Sequence, residues 1–314
     1  MKPSLDLVPL GKTDLMISTV GVGTWAWGDR LFWGYGGSNF DDADVREAFD
    51  VSLENGANWF DTAEVYGLGK SERFLSQFIP TASSEALVAT KFFPFPWRVR
   101  KQAMLRCLKM SLKRLQLSRV DLYQIHFPMG QWRKPAYVST LADAVNAGLT
   151  RAVGVSNFNT EQTKLAHETL LAEGVPLASN QVEYSLFDRR IEKNGLLETC
   201  LENEITVIAY SPLAKGMATG KYDVENPPPG PRKRMYPPEK LRQYQPLITL
   251  LKEIGAGRGK TPAQVALNWT ICKGTVPIPG AKNAQQAAEN LGAMGWRLSP
   301  EEVAALDAAS DQPD

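Results

Sequence analysis

Histidine and cysteine are scarce in this chain. Its 314 residues include two histidines, His126 and His167. A multi-histidine metal site is therefore excluded, and no metal is expected. The three cysteines, Cys107, Cys200 and Cys272, are odd in number and far apart, and each falls in a helical pattern. That usage reads as thiols in a reducing compartment rather than disulfides or zinc ligands. Charge of one sign is also missing: 35 Lys and Arg face 34 Asp and Glu, for a formal net charge of +1. Such a balance advertises neither a nucleic-acid surface nor a polyanionic partner. No apolar run approaches the roughly 18 residues of a membrane span. The opening stretch MKPSLDLVPLGKTDLM has neither a signal-peptide core nor transit-peptide character. These absences lead us to expect a cytoplasmic protein with no nucleic acid, no membrane and no obligate protein partner.

What is present is alternation. At 43% hydrophobic and 22% charged residues the chain has the composition of a folded globular protein. Short apolar runs near 18–24, 58–63, 86–92, 120–126, 150–157, 177–184, 206–212 and 275–280 read as strands. Longer amphipathic segments follow them, near 42–56, 70–79, 98–116, 136–147, 160–173, 191–203, 239–256, 262–272, 284–293 and 299–309. Strands apolar on nearly every residue and joined through helices call for parallel pairing with both faces covered. Eight such units predict an α/β fold, a (β/α)₈ TIM barrel, as one domain over 1–314. The alternative, a doubly wound sheet, lacks its glycine fingerprint: GVGTWAWG has no third glycine in place and opens no helix. Residues 5–17 are expected to form an N-terminal hairpin about Gly11-Lys12 that plugs the barrel bottom. A long loop after strand seven, 213–238, carries PPPGP at 227–231, and loops of that length are functional or mobile.

Barrels of this kind do their chemistry at the C-terminal strand ends. Polar groups stand there in apolar company: Asp61, Lys91, His126, Ser156-Asn157, Asn180-Gln181 and Tyr210-Ser211. An aspartate and a lysine in apolar strands are costly to bury unpaired. Taken singly, Asp61–Lys91 reads equally as a bracing ion pair and His126 as a hydrogen-bonded core residue. Polar ends from six strands at one rim point to a site.

At these residues the chain resembles the aldo-keto reductases. DTAEVYG (61–67) with GKSER (69–73), ATKF (89–92), LYQIHFP (122–128), GVSNF (154–158), NQVEYSLFDR (180–189), AYSPLAKGMATGKY (209–222) and PIPGAKNAQQAAEN (277–290) follow that family's motifs in order across almost the whole chain. The resemblance implies NADPH-dependent reduction of a small-molecule carbonyl, with a tetrad falling on Asp61, Tyr66, Lys91 and His126. It gives Tyr66 the role of proton donor, its pKa lowered by Lys91, with Asp61 aiming Lys91 and His126 polarising the carbonyl oxygen.

The resemblance also distributes a cofactor site. Ser156, Asn157 and Gln181 are expected at the nicotinamide carboxamide, with Tyr210 stacked on the ring and Gly23, Thr24 and Trp25 beside the ribose. Ser211, Leu213, Gly216 and Lys221 are expected around the pyrophosphate, with Arg232 folding over it. Gly280, Lys282, Gln286, Glu289 and Asn290 map to the adenosine end, where a helix starting near Asn283 offers its N-terminus to phosphate. Better-known members carry a lysine where this chain has Gly280 and an arginine where it has Gln286, which throws NADP selectivity onto Lys282.

Trp25, Trp27, Trp33, Tyr35, Phe93, Trp97, Phe127 and Trp132 fall in loops leaving the strand ends. Trp25, Trp27, Trp33, Phe93, Trp97 and Phe127 are the candidate substrate contacts, an aromatic rim suited to an apolar or aromatic carbonyl. Three readings stay open on the sequence: a general aldehyde and ketone reductase, a cofactor-sensing regulatory subunit resembling the potassium-channel β subunits, and a dedicated reductase such as one for pyridoxal or a sugar aldehyde.

Overall fold

The computed structural model describes residues 6–37, 40–98, 100–129, 135–230 and 232–311, so Trp132 lies outside the described residues. A two-stranded antiparallel hairpin opens it, β1 (Leu7–Pro9) against β2 (Met16–Ser18). Eight parallel strands follow: β3 (Val22–Gly23), β4 (Trp59–Asp61), β5 (Leu87–Phe92), β6 (Val120–Ile125), β7 (Thr150–Ser156), β8 (Leu177–Glu183), β9 (Thr206–Tyr210) and β10 (Val276–Pro277). They pair in chain order. A parallel bridge between Gly23 and Gly280, with the Gly21 and Gly23 amides donating to the Pro277 and Pro279 carbonyls, joins last to first. The (β/α)₈ barrel expected from the alternation is therefore the observed fold.

The helices between strands are α1 (Asp42–Glu54), α2 (Lys70–Phe78), α3 (Lys101–Leu115), α4 (Pro135–Val138), α5 (Thr140–Asn146), α6 (Thr160–Ala172), α7 (Arg190–Lys193) and α8 (Leu196–Glu202). After β9 come α9 (Arg232–Met235), α10 (Pro238–Arg258) and α11 (Pro262–Cys272), and after β10, α12 (Ala284–Leu291) and α13 (Pro300–Ser310). Their starts follow local chemistry. Asp41, Asn159, Thr261 and Ser299 each accept at their side chain from the N–H three positions on, and donate their own N–H to that residue's side chain.

Several boundaries differ from the periodicity. The first and last barrel strands have two residues each, because Gly21, Gly23, Pro277 and Pro279 limit the ladder there. The helix expected over 191–203 is broken at Gly195, whose φ of 75° is left-handed. The segment 136–147 is likewise two helices rather than one.

Inside the barrel, composition changes with height. The lower half is apolar, with Trp59, Leu87, Ala89, Leu122, Ala152, Ala178 and Ile208 packed against Leu10, Leu15 and Ile17 of the hairpin segment. The hairpin thus closes the bottom, as its position predicts. Above this layer the same strands turn polar, and that is where the site lies.

Candidate active site

Asp61 ends β4 and Lys91 lies near the end of β5, and both side chains point into the barrel. They are 2% and 0% exposed, with Lys91 Nζ 2.5 Å from Asp61 Oδ1. Lys91 also donates to the Thr62 carbonyl at 2.8 Å and to the Tyr66 hydroxyl at 3.4 Å. Burial by itself pulls a lysine toward neutrality. Here the Asp61 charge overrides that pull, and Lys91 is held above its ordinary pKa as a cation.

Tyr66 reaches the site from the turn that follows β4. At Gly67 the backbone is left-handed, with φ 55°, and a Cβ there would fall 2.9 Å from the Gly28 backbone. The tyrosine loop thus presses directly onto the neighbouring loop, as only glycine permits. Tyr66 is raised above the ordinary phenol pKa by burial, an effect that Lys91 opposes and Asp61 reinforces. This corrects the expectation of a lowered value. Removing a phenolate from water costs more here than one paired lysine returns, so at neutral pH the hydroxyl keeps its proton.

His126 follows β6, its ring 5.8 Å from that of Tyr66 and stacked on Phe127. Burial first, and then the Lys91 charge, push it well below the ordinary histidine pKa, so the imidazole is neutral. Its Nδ1 is buried without a partner among the described residues. An orphaned buried acceptor is better tolerated than an orphaned buried N–H, which puts the proton on Nε2. The four tetrad positions therefore lie together.

Asp61 has further neighbours. Its Oδ2 accepts from Gln181 Nε2 at 2.8 Å and from Gln124 Nε2 at 3.3 Å. Because the carboxylate only accepts, the Gln181 amide is fixed with nitrogen toward Asp61, which leaves its oxygen for another donor. Gln124 was missed from sequence. The available signal was its spacing, since residues 122, 124 and 126 share one face of β6.

The expected nicotinamide residues form one connected cluster. Ser156 donates to the Gln181 carbonyl at 2.8 Å. Asn157, left-handed with φ 62°, donates to the His126 carbonyl and to Ser156 Oγ, both at 3.0 Å. It accepts from the Tyr210 hydroxyl at 3.0 Å. Tyr210 is thereby pinned by its hydroxyl, and burial pushes its pKa up to about 12. Thr24 departs from expectation. It is fully buried, and its hydroxyl goes to the Asp61 carbonyl and Ser71 Oγ, so its side chain braces the strand end rather than lining a ribose.

Beyond β9, Ser211, Leu213 and Gly216 belong to a tight turn with left-handed residues at Ser211, Ala214, Lys215 and Gly216. Arg232 folds over it, donating to the Lys215 carbonyl at 3.0 Å. Lys282 is half-buried, its Nζ 3.4 Å from the Trp33 carbonyl and over the Trp33 and Phe40 rings. Burial, and then the charges of Arg232 and Lys221, hold Lys282 below the ordinary lysine pKa. Among the described residues none of these three cations has a carboxylate within ion-pair distance. Three converging cations without a counter-anion fit the phosphates of a dinucleotide.

The helix N-terminus beside them is partly occupied. Asn283 accepts from the Gln286 amide, and the Gln286 side chain accepts from the Lys282 amide. Asn290 donates to the Gly280 carbonyl and so secures the bridge to Gly23. Glu289 accepts through its carbonyl from Gln264.

The aromatic rim sorts into two walls. Trp25, 39% exposed, stacks on Phe32 at 5.1 Å, meets Trp33 edge-on and lies 6.3 Å from the Tyr66 ring. Opposite, Phe93 contacts His126, Phe127 and Phe95, and Phe95 stacks on the exposed Trp97. Two expected members are elsewhere. Trp27 is fully buried and its indole N–H donates to the Ala281 carbonyl, so it belongs to the core. Tyr35 is buried with its hydroxyl against Lys70 Nζ at 2.6 Å.

A model of the aldo/keto reductase family matches residues 19–311. The chain belongs to that family. It is 42% identical over 314 residues to a chloroplastic pyridoxal reductase of Arabidopsis thaliana, covering 95% of this chain and 85% of the relative. Among solved structures it is similar to a glycerol dehydrogenase from Gluconobacter oxydans, with TM-score 0.85 and 28% identity, over 97% of this chain and 94% of that one. An aldo/keto reductase from Klebsiella pneumoniae in complex with NADP and acetate superposes with TM-score 0.76 at 28% identity, over 99% and 97% of the two chains. As an aldo/keto reductase the protein is an NADP(H)-dependent oxidoreductase that reduces aldehydes and ketones to alcohols. No helix among the described residues is long and apolar enough to cross a membrane.

Proposed function

We propose that Asp61, Tyr66, Lys91 and His126 carry the reduction, and that the natural substrate is an aromatic aldehyde of about the size of pyridoxal. The hydrogen-bonded chain from Asp61 through Lys91 to Tyr66, beside a neutral His126 and under two aromatic walls, carries this reading. Bound NADPH supplies the hydride. As negative charge grows on the carbonyl oxygen, Tyr66 gives up its hydroxyl proton to it and Lys91 offsets the charge left on the phenol oxygen. His126 donates from Nε2 to the same oxygen, while Asp61 keeps Lys91 charged and in reach. Gln181 would hold the nicotinamide carboxamide through its free oxygen, and Tyr210, pinned by Asn157, would offer its ring as the stacking surface. Trp25 lies beside Tyr66, and Phe93 and Phe127 beside His126; with Trp33 and Trp97 they shelter a flat substrate from water. The 42% identity to a pyridoxal reductase supports the aromatic aldehyde over a short polyol. Three free cysteines support a reducing compartment such as the cytoplasm.

The test is turnover of a panel of aldehydes by the purified protein with NADPH. Pyridoxal and substituted benzaldehydes are expected to exceed glyceraldehyde and other short aliphatic aldehydes in kcat/KM by roughly tenfold or more, the worth of a few buried apolar groups. Equal or reversed values would remove the aromatic-substrate reading and leave the general reductase.

The cofactor choice rests on Lys282. Its half-burial beside Arg232 and Lys221 makes it a poor surface lysine and a good partner for the 2′-phosphate. Lys282→Ala is expected to weaken NADPH by roughly tenfold to a hundredfold, about 1.5–3 kcal/mol, and to leave NADH nearly unchanged. Dissociation constants for both cofactors check this. An unchanged ratio would move the discrimination to Arg232 or Lys221.

A further inference from the structure

The motif LYQIH places a glutamine where the reduction needs no chemistry. Gln124 is fully buried at the centre of the barrel's polar layer. It pairs across the sheet with Lys91 on one side and Gly154 on the other. Room for it is made by Gly154, where a Cβ would fall 3.2 Å from Gln124 Cγ and 2.3 Å from Ser179 Oγ. Its Oε1 has no partner among the described residues. A buried amide with an unpaired oxygen is costly, and an apolar side chain of the same shape would fill the space without that cost. What the glutamine adds is its N–H on Asp61 Oδ2, at 3.3 Å.

We propose that Gln124 is a positioning residue for the reduction, acting through Asp61 on the Lys91–Tyr66 contact. Asp61 Oδ1 takes Lys91, and Oδ2 takes the two glutamines. Donors on Oδ2 draw carboxylate charge away from Lys91, so that the lysine is shared with Tyr66 instead of being held by Asp61 alone. Gln181 divides its amide between Asp61 and the nicotinamide assigned to it above. Among the described residues Gln124 has no second partner, and serves Asp61 alone. The inference rests on the reductase reading of this site.

The sign follows from the charges. Without the Gln124 donor, Asp61 carries more of its charge, binds Lys91 harder and repels the Tyr66 phenolate more. Tyr66 then titrates at higher pH. Carbonyl reduction needs the phenol, so the alkaline limb of its pH profile moves up. Alcohol oxidation needs the phenolate, so its acidic limb moves up and its rate at neutral pH falls.

The experiment compares wild type with Gln124→Met, which keeps the length and loses the donor. NADPH affinity is expected within twofold of wild type. Both limbs should move up by roughly half a pH unit to one unit, and neutral-pH alcohol oxidation should fall roughly three- to tenfold. If the methionine variant does not fold, Gln124→Leu removes the same donor with a shorter apolar side chain and should move the limbs in the same direction and by a similar amount. A folded variant with wild-type NADPH affinity and unmoved limbs overturns the proposal, as does a downward shift. Failure of the wild type to turn over any carbonyl with NADPH would sink the underlying reading instead, so the two failures are distinguishable.

Discussion

Tyr66→Phe is expected to lower carbonyl turnover by roughly two to four orders of magnitude, the worth of a positioned general acid, with NADPH affinity unchanged. The phenylalanine keeps the ring contacts with Trp25 and His126 and removes only the hydroxyl that Lys91 reaches at 3.4 Å. Among the described residues Tyr66 has no protein acceptor competing for its proton, and burial keeps that proton in place at neutral pH. The phenol is therefore a loaded donor with one cation beside it, and His126, neutral and still able to polarise the carbonyl, accounts for the residual rate. Single-turnover kinetics under saturating NADPH check this. A kcat close to wild type would remove Tyr66 as the proton source.

Lys91→Met is expected to lose nearly all activity and to destabilise the fold by roughly 3–5 kcal/mol, because it leaves Asp61 buried beside an apolar neighbour. Two glutamine donors remain on Oδ2, and they offset part of that cost. The ion pair could serve as bracing alone, and a double variant separates that role from catalysis. Lys91→Met with Asp61→Asn removes both charges, so it should recover most of the lost stability while turnover stays down, since Tyr66 still lacks its cation. Thermal melts and NADPH-dependent turnover on the three variants check this. Recovery of activity along with stability would reduce the pair to a structural brace.

Much of this protein could be read along the chain. Eight apolar runs separated by amphipathic ones dictate a parallel barrel, because parallel strands covered on both faces admit few polar residues. For the same reason Asp61, Lys91 and His126 stood out, and their placement at strand ends brought them to one rim. The cap residues Asp41, Asn159, Thr261 and Ser299 likewise announce their helices, since capping is chemistry between neighbours three positions apart.

The tertiary structure decided what depends on direction and on competition between distant groups. Trp25 and Trp27 are two residues apart in one loop, yet Trp25 faces the site and Trp27 is buried with its N–H on Ala281, 254 positions away. Loop residues follow no fixed period, so local sequence cannot say which ring turns outward. Thr24 was drawn from the ribose to Asp61 and Ser71 by bonds that exist only once three segments meet. Gln124 hid inside a motif, its purpose visible only when β4, β6 and β8 set two amides against one carboxylate oxygen. The direction of the Tyr66 shift was settled the same way. Sequence supplies the lysine beside the phenol, but only the packed site fixes how much water is excluded, and here that exclusion outweighs the charge.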